Sequence, residues 1–199
     1  MNKVELYIFD TRKFTIEEIV DLLQLSENEI VPFNKFSSEE VKKEKLVSFF
    51  YKKVFANDYY VDEFGKPLSN NLFFNVSHSK GLVVIALNKK ESIGVDVEFI
   101  RPVEESLKKY ISDENEYKYM ENDEKFFEIW TNKESLMKCI GKGIKCQPSK
   151  IPALPINGLR VVDDKTYNSK VFKWKDFIIS ITLSGKNDFQ IKVCEDSFI

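Results

Sequence analysis

Apolar and acidic residues alternate along residues 93–98, which read Ile-Gly-Val-Asp-Val-Glu. Alternation with a period of two predicts a strand whose successive side chains point to opposite faces. Val95 and Val97 would enter the core, while Asp96 and Glu98 would share the other face. The pattern therefore predicts two neighbouring carboxylates on one face of a strand.

Residues 130–138 follow a helical spacing instead. Trp130, Glu134 and Lys138 recur at every fourth position, which places them on one stripe of a helix. Gly94, beside the acidic residues, is what a helix packed closely on this strand would require. Together, the strand and the helix would bring three carboxylates and one ammonium group to one place.

Such a group of oxygen ligands suits a hard cation. Mg²⁺ takes one or two carboxylates and shares the rest of its shell with phosphate and water. The alternative interpretation is structural, because acidic alternation is common on half-exposed strands and a Glu–Lys pair one turn apart is common on exposed helix faces. The two patterns together favour a site more than either does alone.

The remaining periodicity predicts an α+β fold in which helices and a run of antiparallel strands occur twice. Arg101-Pro102 marks the predicted boundary, giving an N-terminal half (1–100) and a C-terminal half (101–199). We expect the two halves to lie side by side with pseudo-two-fold symmetry. Short polar links predict hairpins between the strands at 72–76, 82–87 and 93–98, and between the last two strands. Predicted helices cover 15–25, 38–54, 112–120 and 123–140; further strands cover 6–9, 59–61, 159–162, 170–174, 177–183 and 189–193, and 145–158 are an irregular loop.

Composition narrows the choice of partners. Lys and Arg total 30 against 32 Asp and Glu, so the chain lacks the basic field that nucleic-acid binding requires. The longest apolar run, Leu82 to Leu87, is too short for a membrane span. Three cysteines without C-x-x-C spacing and a single histidine argue against a disulfide framework and a zinc site. We expect a cytoplasmic protein without a nucleic-acid or membrane partner.

Ser77-His78-Ser79 lies between two predicted strands. Hydroxyls and an imidazole at a strand end can bind phosphate oxygens, although a serine-rich hairpin turn is the ordinary explanation. Lysines 42, 43, 45, 52 and 53 surround the apolar stripe of the helix at 38–54. They are interpreted as solvent-facing unless the site recruits one of them.

Three ordered blocks together resemble a known family. They are Phe-Asn-Val-Ser-His-Ser at 74–79, Gly-Val-Asp-Val-Glu at 94–98 and Trp-x-x-Lys-Glu-Ser-x-x-Lys at 130–138. In order and spacing they resemble the signature of the Sfp-type 4'-phosphopantetheinyl transferases, and their joint occurrence is specific where each alone is weak. Gly65-Lys66-Pro67 and Gly141-Lys142-Gly143-Ile144 look like further features of the family.

The resemblance implies an activity and a metal. Members move the 4'-phosphopantetheine arm of coenzyme A onto a serine of an apo acyl or peptidyl carrier protein, leaving adenosine 3',5'-bisphosphate. Asp96, Glu98 and Glu134 match the acids that hold Mg²⁺ against the coenzyme A pyrophosphate. Lys138 matches a lysine that contacts the phosphate under attack and can protonate the departing group. The serine proton would pass to Glu134 or to a metal-bound water.

The resemblance also implies contacts with the nucleotide. Ser77 and His78 match residues that hold its phosphates, with His78 near the 3'-phosphate, and Lys66 and Pro67 fit contacts beside them. The basic position of the first helix falls on Lys42 or Lys43. Asn115 occupies the usual position of an acid in the linker helix and is left out of the predicted site.

Two other functions stay open at this point. One is a Mg²⁺-dependent nucleotide phosphohydrolase that uses the same carboxylates. The other is a non-catalytic module that binds coenzyme A or a carrier protein. Two halves in one chain could form the whole site, so a monomer is expected.

Overall fold

The computed structural model describes residues 2–63, 65–141 and 147–196. Within these ranges the chain forms ten strands and six α-helices. The strands are β1 (Asn2–Asp10), β2 (Tyr60–Val61), β3 (Pro67–Leu68), β4 (Phe73–Ser79), β5 (Leu82–Asn88), β6 (Ile93–Phe99), β7 (Gly158–Val162), β8 (Lys165–Trp174), β9 (Phe177–Ser184) and β10 (Phe189–Glu195). The helices are α1 (Ile16–Leu22), α2 (Glu27–Ile30), α3 (Glu39–Phe55), α4 (Glu105–Ile111), α5 (Glu114–Tyr119) and α6 (Asp123–Ile140).

Helix ends follow local sequence signals. Thr15 and Glu18 form the predicted capping box at the start of α1, and the Ser38 hydroxyl accepts a hydrogen bond from the Val41 backbone at the start of α3. Gly141 ends α6 in the left-handed region, with φ of 80°. The α+β fold class is confirmed, whereas the pseudo-two-fold symmetry stays a prediction.

Two four-stranded sheets form the centre of the molecule, with strand orders β10-β1-β5-β4 and β6-β9-β8-β7. Strand β1 runs parallel to β10, and the other pairs in these sheets are antiparallel. One apolar core contains residues of both sheets, including Leu6, Val84, Val95 and Ile179. A second core joins α1 and α3 to the first sheet, and α6 covers the second sheet.

Two of the predicted hairpins are wrong. Strands β4 and β5 pair as expected, but β6 pairs with β9 rather than β5, and β10 pairs with β1 rather than β9. The reason is that β5 already has β1 and β4 on its two edges, and β9 has β6 and β8. The short links after β5 and β9 therefore each carry the chain from one sheet into the other. Each sheet thus contains strands from both sides of residue 100, and the limits 1–100 and 101–199 stay a prediction.

Strands β4 and β6 are joined by side chains of β4. The Asn75 amide oxygen accepts a hydrogen bond from the Val95 backbone at 3.0 Å, and the Ser79 hydroxyl accepts one from the Phe99 backbone at 3.3 Å. Between them, the Ser77 hydroxyl donates to Asp96 at 2.9 Å. We call this row of contacts the seam, and it connects the two sheets.

Two further expectations concern the irregular loop and membrane spans. Residues 147–157 contain only the short 3-10 turn Pro148–Lys150, as the predicted irregular loop requires, while 145 and 146 lie outside the described residues. The motif residues Lys142, Gly143 and Ile144 also lie outside them. No helix in the described part of the chain has the length and apolar content to cross a membrane.

Candidate active site

Helix α6 lies directly on β6 because Gly94 has no side chain. An ideal Cβ at this position would lie 1.9 Å from the carbonyl oxygen of Ser135 and 2.5 Å from the backbone nitrogen of Cys139. Such distances exclude every other residue unless the helix moves. The close approach expected from Gly94 is therefore present, and it brings the Glu134–Lys138 stretch of α6 beside Asp96.

Asp96 is held on one side only. Its Oδ1 lies 2.6 Å from the Lys138 ammonium and accepts the Ser77 hydroxyl, whereas its Oδ2 is buried without a hydrogen-bond partner among the described residues. Lys138 also donates to the Ser77 hydroxyl at 3.0 Å and to the Val95 carbonyl at 3.2 Å. Residues of β4, β6 and α6 thus meet at this carboxylate.

Burial disfavours the negative charges of two acids that meet here, Asp96 and Glu134. Burial raises the pKa of Asp96, although the Lys138 ammonium acts in the opposite direction. Burial also raises the pKa of Glu134, and the charges of Asp96 and Glu98 add to the shift. The predicted convergence of the three carboxylates with Lys138 is consistent with this mutual influence. A cation bound between these carboxylates would relieve their repulsion.

Glu98 lies at the outer end of the seam. Its Oε2 accepts hydrogen bonds from the Ser79 hydroxyl at 2.9 Å and from the Arg101 guanidinium at 3.0 Å. Among the described residues, no three His, Cys, Asp or Glu side chains form a ready-made metal cluster. The donor set nevertheless fits Mg²⁺, because it is all oxygen and includes the unpartnered Oδ2 of Asp96. Magnesium binding by Asp96, Glu98 and Glu134 stays a prediction.

His78 points away from the seam, since neighbouring positions of a strand face opposite sides. Its Nδ1 lies 2.9 Å from Glu44 Oε2, and its Nε2 lies 3.0 Å from the Lys45 ammonium. The other oxygen of Glu44 accepts the Gly81 N–H at 2.8 Å. Helix α3 and the β4–β5 turn therefore form a second polar group on the other side of β4.

Comparison with known proteins identifies the fold family. Residues 92–194, more than half of the chain, match the model of the 4'-phosphopantetheinyl transferase superfamily. The chain belongs to this superfamily. The matched range contains Asp96, Glu98, Glu134 and Lys138.

Individual relatives carry the same family name. The chain is 33% identical over 112 residues to the 4'-phosphopantetheinyl transferase gsp of Aneurinibacillus migulanus, covering 53% of this chain and 44% of that protein. It is 38% identical over 94 residues to HetI of Nostoc sp., covering 40% of each chain. It is 30% identical over 152 residues to Sfp of Bacillus subtilis, covering 60% of this chain and 67% of that protein. The chain thus spans less than half the length of the first two relatives.

The two lysines proposed for the first-helix position of the superfamily have other partners. Lys42 donates to the Asn34 side chain at 2.8 Å, and Lys43 pairs with Glu39 at 2.6 Å. Lys45, which the sequence did not single out, contacts His78 instead. The sequence feature that could have indicated this contact is Glu44. It lies on the buried stripe of α3, where a carboxylate needs a polar partner.

Lys66 is bound to the end of α6. Its ammonium donates to the Cys139 carbonyl at 3.0 Å and to the Ser92 hydroxyl at 3.2 Å, and burial lowers its pKa. Pro67 begins β3 and pairs with Val61. The structure therefore places Lys66 beside the close contact between α6 and β6, and its contact with coenzyme A stays a prediction.

Of the two acids that flank Asn115 in α5, Glu116 is the buried one. Its Oε2 lies 2.6 Å from the Lys133 ammonium, and its Oε1 accepts the Ala153 N–H at 2.7 Å. Both charged side chains are buried. Lys133 belongs to the signature block at 130–138, so the structure gives this lysine an anchoring contact beneath the site.

A network of buried polar side chains holds α6 on the second sheet. The Ser135 hydroxyl lies 2.8 Å from the hydroxyls of Ser180 and Thr182. The Arg160 guanidinium donates to the Asn132 amide oxygen at 2.7 Å, and burial lowers the pKa of Arg160 to about 10. These contacts fix the rotation of α6, the helix that carries Glu134 and Lys138.

Proposed function

We propose that this chain transfers the 4'-phosphopantetheine group of coenzyme A to a serine hydroxyl of an apo acyl or peptidyl carrier protein, with adenosine 3',5'-bisphosphate as the second product. The observation that supports this most is the meeting of Ser77, Asp96 and Lys138, contributed by three signature blocks of the superfamily. With a metal ion on the carboxylate, a group of this kind can position a pyrophosphate and neutralise its charge.

Asp96, Glu98 and Glu134 would hold Mg²⁺ on the pyrophosphate. The bound ion would supply charge neutralisation on the oxygens of the phosphoryl group. The raised pKa values of Asp96 and Glu134 fit this role, because a cation bound by both carboxylates would stabilise their ionised forms.

Lys138 would stabilise and protonate the departing phosphate. In the described conformation its ammonium donates to Asp96 and Ser77. Phosphoryl transfer depends mainly on such charge stabilisation. When the Lys138 ammonium moves from the carboxylate to a phosphate oxygen, it stays paired with a negative charge until it gives up its proton.

Glu134 would accept the proton of the attacking serine. A carboxylate within reach of the attacking hydroxyl can serve as a general base. General-base assistance of this kind contributes about 10² to 10⁴ in rate. The carrier serine would then attack the phosphate next to the pantetheine arm.

The test is a panel of apo carrier proteins incubated with coenzyme A and Mg²⁺ and analysed by mass spectrometry. We expect one carrier to gain the mass of one phosphopantetheine group, and removal of Mg²⁺ with a chelator to stop the reaction. Glu134→Ala and Asp96→Ala should abolish transfer while the proteins stay folded. Glu128→Ala, on the same helix but paired with Lys125, is the matched control and should keep wild-type activity.

The same assay distinguishes the competing functions. Breakdown of coenzyme A without any carrier would indicate a phosphohydrolase. Binding of coenzyme A without modification of any carrier would indicate a binding module. Turnover by Glu134→Ala within a few-fold of wild type would remove the proposed role of Glu134.

A further inference from the structure

Glu98 is held through one of its two carboxylate oxygens. Its Oε2 accepts hydrogen bonds from the Ser79 hydroxyl at 2.9 Å and from the Arg101 guanidinium at 3.0 Å. Among the residues that the structure describes, none donates a hydrogen bond to Oε1. The side chain of Glu98 is 22% exposed, so a cation can reach the oxygen that is left.

Asp96 is held in the same way. Its Oδ1 accepts hydrogen bonds from the Ser77 hydroxyl and the Lys138 ammonium, while its Oδ2 has no partner in the described part of the chain. Each carboxylate of this strand therefore has one oxygen occupied by a serine of β4 and a cationic side chain, and one oxygen available. Because Asp96 and Glu98 share a face of β6, both available oxygens can serve one ligand.

The backbone of β6 fixes the orientation of the Ser79 hydroxyl. The hydroxyl oxygen accepts the Phe99 N–H at 3.3 Å, and an N–H can only donate. The single hydrogen of the hydroxyl is thus left for Glu98. The Ser77 hydroxyl is fixed likewise, because it accepts a hydrogen bond from the Lys138 ammonium.

Of the two groups on Oε2, Ser79 holds Glu98 more firmly. The Arg101 side chain is 46% exposed, so water and salt weaken its contact with the carboxylate. Ser79 lies on a strand that pairs with β5 over its whole length, and its hydroxyl joins two groups of β6. Turning this hydroxyl away from Glu98 would lose both hydrogen bonds.

Repulsion between the acids acts against the described position of Glu98. Burial is the largest cause of the raised pKa values of Asp96 and Glu134, and the charge of Glu98 adds to both shifts. The same repulsion drives the Glu98 carboxylate towards solvent. A hydroxyl that donates to a carboxylate opposes this movement through a charge-assisted hydrogen bond, and it brings no further positive charge beside a metal ion.

We propose that Ser79 is a positioning residue of the metal site: its hydroxyl holds Oε2 of Glu98, so that Oε1 stays available to the divalent cation that Oδ2 of Asp96 also binds. The inference rests on the proposed function, in which Asp96, Glu98 and Glu134 bind Mg²⁺. Removing a group that orients a metal ligand typically lowers metal affinity or activity by about 10- to 100-fold. Ser79 acts through Glu98 and contacts neither the cation nor coenzyme A in this role.

Mn²⁺ binding to the whole protein tests this role without turnover. The electron paramagnetic resonance signal of free Mn²⁺ is followed as the metal is titrated into the protein, with and without coenzyme A, and against coenzyme A alone. We expect Ser79→Ala to raise the Kd for Mn²⁺ about tenfold. Ser26→Ala is the matched control, because the Ser26 hydroxyl also donates to a carboxylate, that of Glu29 at 2.7 Å, at the exposed start of α2. It should bind Mn²⁺ as wild type does.

Two further variants isolate the hydroxyl from the shape of the side chain. Ser79→Thr and Ser79→Val are both β-branched, and they differ only in the hydroxyl. We expect the Thr variant to bind Mn²⁺ about tenfold more tightly than the Val variant. This comparison decides the question even where Ser79→Ala does not fold. Equal affinities of the Thr and Val variants contradict the proposal.

The Mg²⁺ dependence of carrier modification separates positioning from a general loss of structure. We expect Ser79→Ala to need about tenfold more Mg²⁺ for its half-maximal rate, while its rate at saturating Mg²⁺ stays within about twofold of wild type. The KM for coenzyme A at saturating Mg²⁺ should not change. A rate that falls equally at every Mg²⁺ concentration, with unchanged Mn²⁺ binding, would assign Ser79 a purely structural role and overturn the proposal.

The wild-type titration distinguishes the two levels of the argument. If Ser79→Ala binds Mn²⁺ as tightly as wild type does, the proposal is wrong and the proposed function is intact. If wild type binds no Mn²⁺ even with coenzyme A, the metal site of the proposed function fails, and the role of Ser79 fails with it.

Discussion

The ammonium of Lys138 lies 2.6 Å from Oδ1 of Asp96, while Oδ2 of the same carboxylate is buried without a partner among the described residues. The lysine compensates part of a buried negative charge and leaves one oxygen available. Because removing one member of a buried pair exposes the full desolvation cost of the other, the two residues depend on each other. They also link β6 to α6 at the point where the chemistry is proposed.

Replacing Lys138 should therefore stop the reaction and weaken the contact between α6 and β6. We expect Lys138→Met to lower the rate of carrier modification by about 10² to 10⁴, since both charge stabilisation and protonation of the departing phosphate are lost. Mass spectrometry of the carrier over time measures the rate. Lys125→Met, on the same helix and paired with Glu128, should retain activity. A Lys138→Met rate close to wild type would exclude a role in the transfer.

The stability of the protein should depend on pH through Glu134. Folding raises the pKa of this carboxyl above its ordinary value of 4.5, so the folded state favours the protonated form. The free energy of unfolding then falls as pH rises from the ordinary value through the raised one. Glu134→Gln avoids this loss. Its melting temperature should exceed that of wild type near neutral pH and match it near pH ~4, below the ordinary pKa of the carboxyl.

Thermal melts at both pH values, with and without Mg²⁺, measure this effect. Added Mg²⁺ should stabilise wild type by binding the folded state, and should have less effect on Glu134→Gln. Equal melting temperatures for the two proteins near neutral pH would show that ionised Glu134 does not lower the free energy of unfolding.

Gly94→Ala should separate α6 from β6. The added Cβ would meet the Ser135 carbonyl oxygen at 1.9 Å, so the helix must move, at a cost of about 1–3 kcal/mol or more. Activity should fall even in the folded fraction, because Lys138 moves with the helix. Gly65→Ala is the control for the substitution itself, since its Cβ meets nothing within 4 Å and costs only about 1 kcal/mol for its positive φ. Denaturant unfolding combined with the transfer assay gives both quantities.

The buried pair of Glu116 and Lys133 should show strong coupling. Glu116→Gln alone leaves a buried lysine without its carboxylate and should cost about 3–5 kcal/mol in the free energy of unfolding. The double variant Glu116→Gln/Lys133→Met removes both charges and should recover a large part of the loss. A double-mutant cycle from denaturant unfolding measures the coupling. Additive effects of the two single variants would show that the pair contributes little.

The elements of the site could be predicted because their signals are local. The alternation around Asp96 and the four-residue spacing of Glu134 and Lys138 are set by neighbouring residues, and both β6 and α6 form at these positions. Gly94 is also a local signal, because a glycine next to the acidic residues of β6 indicates that a helix packs closely on this strand.

Strand partners and the lysine of α3 could not be predicted in this way. Whether β6 pairs with β5 or β9 depends on which edges are already occupied by strands far away in sequence. Lysines 42, 43 and 45 lie within about one turn of α3, so their sequence does not show which of them faces the β4–β5 turn. The contact of Lys45 with His78 is decided by tertiary packing.

The parallel pairing of β1 with β10 bears on how the protein is made. Strand β1 finds this neighbour only after β10, at the other end of the described chain, has been synthesised. Pairing across such a distance is slow, and its edge stays open to other chains in the meantime. Expression of the two predicted halves as separate polypeptides should consequently give aggregation-prone fragments, each lacking a strand that the other carries.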